Sequence, residues 1–263
     1  MIITIGNSIF DGDKNEYKIV ETLGQGGFGT VYKVEDNNKK VFALKTLPQS
    51  YTSEDTFRGL QNEAQNALTI DSENVVKHIY FHDGNVYDDL PPYIIMDYAN
   101  GGTLREYMAS DTQEFNEQLT VIRQLVSGIR AINEKLVHRD IKPENILFHD
   151  GVVKISDFGL SKLVEESTRS KSFKGYGTPL YMSPEGWKNQ ENTSSMDIYS
   201  MGIIFYELLT GKYPFEYDPT NSDSIKEAHL YTNIEPPNQV NTEIPLYLSQ
   251  IIIKMCNDKS LLN

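Results

Sequence analysis

Apolar residues change their spacing part-way along the chain, and this change restricts the folds that the chain can adopt. Between residues 17 and 47 they alternate with polar residues, as in half-buried strands, and polar turns divide the run into three. After Gly101-Gly102 they recur at three- and four-residue steps, as from Leu119 to Leu136, which predicts amphipathic helices. We therefore expect an α+β protein with an N-terminal sheet and a mainly helical C-terminal part.

Local signals complete the predicted sheet. Ser53 can cap a helix that runs to about residue 70, and residues 75–81 and 93–96 have the composition of strands. The first part is thus expected to be an antiparallel sheet of five strands with one helix.

Local signals also divide the second part. Asn116 is predicted to cap the amphipathic helix, and Asp150-Gly151 predicts a tight hairpin. An apolar helix over residues 197–210 is expected to end at Gly211, and residues 244–255 form a last amphipathic segment.

Charge and cysteine content exclude several classes of protein. The chain has 24 Lys+Arg and 37 Asp+Glu residues, a formal net charge of −13, which disfavours binding to nucleic acid or to an anionic membrane. Its single cysteine, Cys256, excludes a disulfide framework and predicts a reducing, cytoplasmic location. The sequence has neither the pattern of a signal peptide nor an apolar stretch long enough for a membrane span.

A glycine-rich segment, G-Q-G-G-F-G-T-V, runs from Gly24 to Val31. Its G-x-G-x-x-G spacing lets backbone N–H groups approach phosphate oxygens, but the same spacing opens dinucleotide-binding folds and occurs in ordinary turns. A dinucleotide site requires a helix after the glycines, whereas residues 30–34 are a predicted strand, so that alternative drops out. Lys45, on the third predicted strand, is placed to meet phosphates held by the loop.

Two later segments decide between the remaining alternatives. H-R-D-I-K-P-E-N occupies residues 138–145, and D-F-G follows at 157–159. Taken in order with the glycine segment, with A-L-K at 43–45 and with G-T-P-L-Y-M-S-P-E at 177–185, they make the chain resemble the eukaryotic-type protein kinase superfamily. Lys142 and the G-T-P segment are typical of its Ser/Thr kinases.

The resemblance implies a domain organisation. Residues 1–16 would be an N-terminal extension, and residues 17–263 a bilobal protein kinase domain with an N-lobe over 17–98 and a C-lobe over 99–263. In the family the C-lobe continues into an Arg-containing turn and a last helix. The C-lobe of this chain is therefore expected to be truncated at its C-terminal end.

The resemblance also implies an ATP- and Mg²⁺-dependent transfer of a phosphoryl group to Ser or Thr hydroxyls of a protein. Asp140 matches the catalytic base, and Lys142 would contact the γ-phosphate. Asn145 and Asp157 would supply the oxygen ligands that Mg²⁺ prefers. Asp197 matches a buried carboxylate that hydrogen-bonds the backbone of the loop around Asp140.

The nucleotide site is implied in the same way. Lys45 would bind the α- and β-phosphates and pair with Glu63 of the predicted N-lobe helix. Adenine would lie between apolar side chains, with the backbone of Asp97 and Ala99 at its edge. The residues implied to contact the nucleotide are Leu23, Gly24, Gln25, Gly26, Gly27, Phe28, Gly29, Val31, Ala43, Lys45, Met96, Asp97, Ala99, Leu147 and Asp157.

Regulation is expected in the polar stretch that follows the D-F-G segment. Arg139 stands where family members bind a phosphorylated side chain. A phosphoryl group adds about −1.5 to −2 charges and strong hydrogen-bond acceptors, which an arginine can bind. Ser172 is the first candidate for phosphorylation, followed by Thr168 and Ser170.

The partner implied is a protein or peptide with a Ser or Thr acceptor, and no nucleic acid. Glu144 and Glu207 match positions that contact basic substrate residues in some kinases. Both are also common as ordinary loop and helix acids, so the two interpretations stay open. Thr103 stands where a kinase that selects basic substrates often carries another acid.

Two other functions are compatible with parts of the pattern. A nucleotide-binding pseudokinase or scaffold would keep the fold without transfer, and the expected truncation favours it, whereas the intact catalytic and metal-binding residues argue against it. A small-molecule kinase, such as the antibiotic kinases, generally lacks the complete H-R-D-I-K-P-E-N and peptide-docking segments and ranks last.

Overall fold

The computed structural model describes residues 3–26, 29–47, 54–84, 90–110, 113–158, 180–190, 193–218 and 221–257. Within these ranges six strands form an antiparallel sheet and helices dominate the second part, which confirms the predicted α+β class. The strands of the sheet are β1 (Ser8–Phe10), β2 (Glu16–Gly26), β3 (Gly29–Asp36), β4 (Val41–Thr46), β5 (His78–His82) and β6 (Tyr93–Asp97). A separate hairpin consists of β7 (Ile146–His149) and β8 (Val152–Ile155).

The helices follow the predicted order. They are α1 (Glu54–Leu68), α2 (Leu104–Met108), α3 (Phe115–Asn133), α4 (Pro184–Trp187), α5 (Ser194–Thr210), α6 (Ser222–Tyr231), α7 (Pro237–Val240) and α8 (Leu246–Asn257), and a 3₁₀ turn covers Pro143–Asn145.

The sheet has the strand order β1-β2-β3-β4-β6-β5. The five predicted strands are present, and β1, from the residues before position 17, adds a sixth. Ile9 of β1 and the preceding Ile3 are buried in the same apolar cluster as Ile19 and Val34. Because alternate residues of a strand point to one face, this burial fixes the register of β1 on β2.

The predicted strand over residues 75–81 begins later, at His78, and this expectation is corrected. Val75 forms an isolated parallel bridge with Ile155, and Val76 N donates to Ile155 O (2.9 Å). Their backbone groups therefore join the sheet-containing part to the β7–β8 hairpin. The local sequence pattern does not indicate this pairing, because Ile155 is distant in the sequence.

The hairpin itself agrees with its sequence signal. Asp150 and Gly151 have φ values of 49° and 80°, the left-handed pair that an Asp-Gly turn adopts between antiparallel strands. The turn places Leu147 on β7 and Ile155 on β8 at the boundary between the two parts of the molecule.

The predicted cap of α3 was wrong by two residues. The helix begins after Glu114, whose backbone N–H donates to Glu117 Oε2 (3.4 Å), while Asn116 lies in the first turn. One face of α3 is buried, including Ile122, Leu125 and Ile129, as its spacing predicts.

Helix α5 is the central element of the helical core. It begins at Ser194, three residues earlier than predicted, and ends where Gly211 takes a left-handed conformation with a φ of 68°. Most of its side chains are buried, and α8 packs along it. This burial fixes Asp197 and Glu207, which both face the loops that carry the candidate site.

Candidate active site

The segment of residues 138–145 is held in place by one buried carboxylate. Asp197 is 1% exposed, its Oδ2 accepts from His138 N and its Oδ1 from Arg139 N, both at 2.8 Å. Asn133 Nδ2 also donates to Asp197 Oδ2 (2.7 Å). These bonds support the left-handed φ of 69° at Arg139, and they confirm the expectation that Asp197 binds the backbone of this loop.

His138 connects this loop to the strand that precedes the D-F-G segment. Its imidazole is fully buried, with Nε2 at 2.9 Å from Ser156 O and Nδ1 at 3.3 Å from Asp140 N. A carbonyl accepts and a backbone N–H donates, so these two contacts suit a ring that donates from Nε2 and accepts at Nδ1. The sequence indicated this histidine only as part of the motif.

Asp140 lies in a fixed orientation beside two side chains of its own loop. Lys142 Nζ is 2.7 Å and Asn145 Nδ2 is 2.9 Å from Asp140 Oδ2, and Asn145 Nδ2 also donates to Asp140 O (2.8 Å). Both contacts use the same carboxylate oxygen. Among the described residues no donor contacts Oδ1, so this oxygen is available to an incoming hydroxyl.

Asp157 forms an ion pair with Lys45 of β4. Lys45 Nζ is 2.7 Å from Asp157 Oδ1, and only 6% of Lys45 is exposed. Burial alone would raise the pKa of Asp157, but the charge and hydrogen bond of Lys45, with the charge of Lys142, outweigh it and lower the pKa. The carboxylate is therefore ionised at neutral pH.

The residue after Asp157 anchors the segment by its ring. Phe158 is fully buried and stacks on His78, with ring centroids 4.4 Å apart and planes at 9°. Burial lowers the pKa of His78 to about 4, although the charge of Asp157 opposes the shift. His78 is a neutral packing partner that the sequence analysis did not identify, because its position in β5 carries no motif.

The expected pair between Lys45 and Glu63 is not formed, and this expectation is corrected. Glu63 Oε1 lies 3.3 Å from Arg139 Nη1, and both side chains are mostly buried. Among the described residues the ion-pair partner of Lys45 is Asp157. A buried charge needs a partner of opposite sign, and in this conformation Arg139 provides it for Glu63.

The glycine segment folds back over the end of β4. Gly26 pairs with Gly29 across the hairpin, while Gly27 and Phe28 lie outside the described residues. Gly29 has a φ of 121°, and a Cβ atom there would lie 1.8 Å from Thr46 O. Only glycine fits this close approach, which brings the hairpin directly above the neighbour of Lys45.

The apolar residues expected around adenine lie together. Ala43 and Met96 are buried in one cluster, against which Val31 and Leu147 pack. Because Leu147 belongs to β7, the cluster connects the sheet with the second part of the molecule. Leu23 is 41% exposed and lies at the edge rather than in the cluster.

Two candidate backbone positions follow the last strand of this cluster. Asp97 ends β6, and its N–H donates to Lys77 O (3.0 Å), so a base could bind only the carbonyl group of Asp97. Ala99 lies two residues further on, in the half-buried segment that leads to α2.

Glu144 and Glu207 lie together and share an internal partner. Arg105 Nε donates to Glu144 Oε1 (2.9 Å) and Nη1 donates to Glu207 Oε1 (2.7 Å). Burial alone would lower the pKa of Arg105, but the hydrogen bonds to Glu144 and Glu207 outweigh it and raise the pKa above its ordinary value. The guanidinium is therefore permanently charged. The sequence analysis missed Arg105, because only tertiary structure brings α2, the 3₁₀ turn and α5 together.

Some predicted residues cannot be placed. The proposed phosphorylation sites Thr168, Ser170 and Ser172 lie outside the described residues, as does the glycine that completes the D-F-G segment. Arg139, proposed to bind a phosphorylated side chain, contacts Glu63 in this conformation.

Two features are absent from the described ranges. No helix there is long and apolar enough to cross a membrane. Nor does that part of the chain contain a group of three or more His, Cys, Asp or Glu residues arranged to hold a metal ion.

Comparison with known proteins agrees with the geometry. A family model described as a protein kinase domain matches residues 17–260. A probable serine/threonine-protein kinase of Clostridium acetobutylicum is 36% identical over 253 residues, which cover 93% of this chain and 37% of that protein. Serine/threonine-protein kinase PrkC of Bacillus subtilis is 36% identical over 244 residues, covering 90% of this chain and 37% of PrkC.

A more distant relative has the same coverage pattern. The probable serine/threonine-protein kinase PknB of Lactococcus lactis is 30% identical over 259 residues, covering 96% of this chain and 40% of that protein. The similarity thus extends over nearly all residues of this chain. The chain itself spans less than half the length of these curated relatives.

Proposed function

Because this chain belongs to the protein kinase domain family, we propose that it transfers the γ-phosphoryl group of ATP to Ser or Thr hydroxyls of protein substrates. The observation that carries the proposal is that two sets of charged groups lie close together. Asp140 contacts Lys142 and Asn145, Asp157 contacts Lys45, and the charge of Lys142 also lowers the pKa of Asp157.

Nucleotide binding is assigned to the hairpin and the cluster beneath it. The backbone of the glycine segment and the ammonium of Lys45 would neutralise phosphate oxygens, since both present donors at the end of β4. Adenine would contact Ala43, Met96 and Leu147, and the backbone of Asp97 and Ala99 would bind its polar edge. The domain assignment, with an extension over residues 1–16 and lobes over 17–98 and 99–263, is part of this proposal.

The donor set fits a magnesium ion. Asp157 offers an ionised carboxylate, and Asn145, whose Nδ2 donates to Asp140, has its amide oxygen without a donor among the described residues. One or two oxygen ligands from the protein, completed by phosphate oxygens, are what Mg²⁺ uses in phosphoryl-transfer sites. Bound there, the ion would neutralise charge on the phosphates.

Asp140 is assigned the role of orienting the acceptor hydroxyl and receiving its proton. Its Oδ2 is occupied by Lys142 and Asn145, so Oδ1 is the oxygen that faces the hydroxyl. Lys142 would contact the γ-phosphate oxygens during transfer, because its ammonium can reach them while it remains near Asp140.

Nucleotide binding requires a change in the pairing of Lys45. Its ammonium now contacts Asp157, so nucleotide phosphates would compete with Asp157 for it, and the Asp157 carboxylate would then be available as a metal ligand. Glu63 could then exchange Arg139 for Lys45, which would free Arg139 to bind a phosphorylated residue among Thr168, Ser170 and Ser172. A cytoplasmic location is also proposed, on the basis of the lone buried Cys256.

The experiment is to incubate the protein with Mg²⁺-ATP and a generic Ser/Thr-rich basic protein and to detect new phosphate by mass spectrometry. Asp140→Asn is the matched control, because it keeps the shape of the side chain and removes the base. Phosphoserine or phosphothreonine in the parent alone is the expected result. No phosphate, with ATP still raising the melting temperature, would instead indicate a nucleotide-binding module without transfer.

A further inference from the structure

Arg105 bridges two carboxylates and a tyrosine close to the catalytic loop. Its Nε donates to Glu144 Oε1 (2.9 Å), its Nη1 to Glu207 Oε1 (2.7 Å) and its Nη2 to the Tyr181 hydroxyl. The same hydroxyl donates to Glu207 Oε2 (2.5 Å). All three guanidinium nitrogens are therefore used, each on a different residue.

The cluster lies beside the place where the acceptor is proposed to bind. Glu144 directly precedes Asn145, whose Nδ2 contacts Asp140 Oδ2 at 2.9 Å. Tyr181 belongs to the segment of residues 177–185 that is proposed to dock the peptide. A peptide with its hydroxyl at Asp140 would therefore run past Arg105 and its partners.

Arg105 leaves little acidic charge for a passing substrate. Both oxygens of Glu207 accept hydrogen bonds within the cluster, and only 17% of its side chain is exposed. Glu144 is more accessible, with 48% of its side chain exposed, but its Oε1 also accepts from Arg105. One of the two negative charges is thus neutralised from within the chain.

The position of Arg105 is fixed by the start of α2. Thr103 Oγ1 accepts from Glu106 N (3.2 Å), and Thr103 N donates to Glu106 Oε2 (2.8 Å), a reciprocal cap at the first turn. This cap orients the helix so that Arg105 points at both carboxylates. It also engages both the hydroxyl and the backbone N–H of Thr103.

We propose that Arg105 is a specificity-determining residue that occupies the acidic site which a basic substrate residue would otherwise bind. The inference rests on the proposed kinase function and names its substrate class. The enzyme accepts Ser/Thr peptides that have no arginine or lysine requirement beside the acceptor. The guanidinium performs this role because its planar fork offers three separate nitrogens in a fixed geometry, one for each partner, whereas an ammonium is a single point charge without that fork.

The test compares kcat/KM for peptides in which each position flanking a Ser acceptor is, in turn, Arg or Ala. In the parent we expect every Arg/Ala ratio to stay below about fivefold, the effect of an exposed ion pair. In Arg105→Met at least one ratio should exceed about tenfold, because a substrate arginine can then form charge-assisted bonds to the vacant carboxylates. Adding Glu144→Gln to this variant should bring that ratio back towards the parent value.

Arg130→Met is the matched control. Arg130 lies on α3 with 82% of its side chain exposed, and its loss changes the net charge equally, so its ratios should equal those of the parent. If Arg105→Met does not fold, Arg105→Lys replaces it. A single ammonium lacks the fixed fork and holds the two carboxylates less firmly, so the largest ratio should rise to a value between those of the parent and about tenfold.

Failure of the role proposed for Arg105 and failure of the proposed kinase function give different results. A parent that transfers phosphate and already prefers Arg more than about tenfold overturns the inference alone, as do unchanged ratios in folded Arg105 variants. A parent that phosphorylates neither peptides nor itself overturns the proposed kinase function, and the inference with it.

Discussion

Replacing Asp197 by asparagine tests whether one buried carboxylate holds the catalytic loop. Its Oδ1 accepts from Arg139 N at 2.8 Å, and its Oδ2 accepts from His138 N at 2.8 Å and Asn133 Nδ2 at 2.7 Å. Asparagine has the same shape but a single oxygen. Its amide nitrogen must therefore face at least one N–H donor at a site that is 1% exposed.

The magnitude follows from the bonds that are lost. A hydrogen bond to a charged group contributes about 1.5–3 kcal/mol, and a buried donor left without an acceptor costs about 1–3 kcal/mol. If the amide oxygen replaces Oδ2, Arg139 N–H loses its acceptor, and the retained bonds lose their charge. We expect the free energy of unfolding to fall by about 3 kcal/mol. Transfer should also slow, because Arg139, with a φ of 69°, directly precedes Asp140.

Thermal unfolding measures this effect. For a chain of this size about 1 kcal/mol corresponds to about 2–4 °C, so the melting temperature should fall by about 6–12 °C. Asp13→Asn makes the same chemical change at an exposed position and should leave the melting temperature unaltered. An Asp197→Asn protein that melts within about 2 °C of the parent would refute the argument that this carboxylate supports the loop.

Three further predictions concern Gly29 in the nucleotide hairpin, His229 of α6 and Lys45 of β4. Gly29→Ala should weaken ATP binding and lower the melting temperature, because its Cβ would meet Thr46 O, whereas Gly24→Ala, whose Cβ would have no protein atom within 4 Å, should leave the melting temperature unaltered; equal melting temperatures for the two variants would contradict this account. Burial lowers the pKa of His229 to about 4 from 6.5, so its contribution to stability is complete above pH 6.5 and is lost as the pH falls towards 4. His229→Gln should therefore reduce the loss of unfolding free energy between pH 7.5 and pH 5 by about 2 kcal/mol in urea titrations, and an unchanged pH dependence would show that folding does not lower the pKa of His229. Lys45→Met should slow transfer at least about 100-fold, because it removes a preorganised cation, while Lys40→Met at an exposed position should keep the parent rate; comparable activity in the two variants would exclude the assigned role.

Features set by neighbouring residues were predictable from the sequence. The strands between residues 17 and 47 and the Asp150-Gly151 hairpin follow from alternation and turn chemistry, and the structure has them at nearly the predicted bounds. The start of α3 was misplaced, because Asn116 and Glu114 are both acceptable near a helix terminus. Boundaries of this kind depend on small energy differences.

Features set by distant residues were not predictable. Val75 and Val76 look like the start of a strand, but their backbone groups pair with Ile155, which lies far away in the sequence. Lys45 and Glu63 were predicted as a pair, yet their partners in the structure are Asp157 and Arg139, which are set by the relative position of α1, the loop and the sheet. An ion pair with alternative partners is decided by conformation, which a linear motif does not encode.

The central claim is that the Asp140 carboxylate serves the chemical step of phosphoryl transfer and not the binding of nucleotide. The most direct measurement is the single-turnover rate constant of the parent and of Asp140→Asn, together with the Kd of each for Mg²⁺-ATP. We predict a Kd that is nearly unchanged and a rate constant that is lower by at least about 100-fold. Equal rate constants, or a loss explained wholly by weaker nucleotide binding, would contradict the assignment of Asp140 as the group that receives the proton.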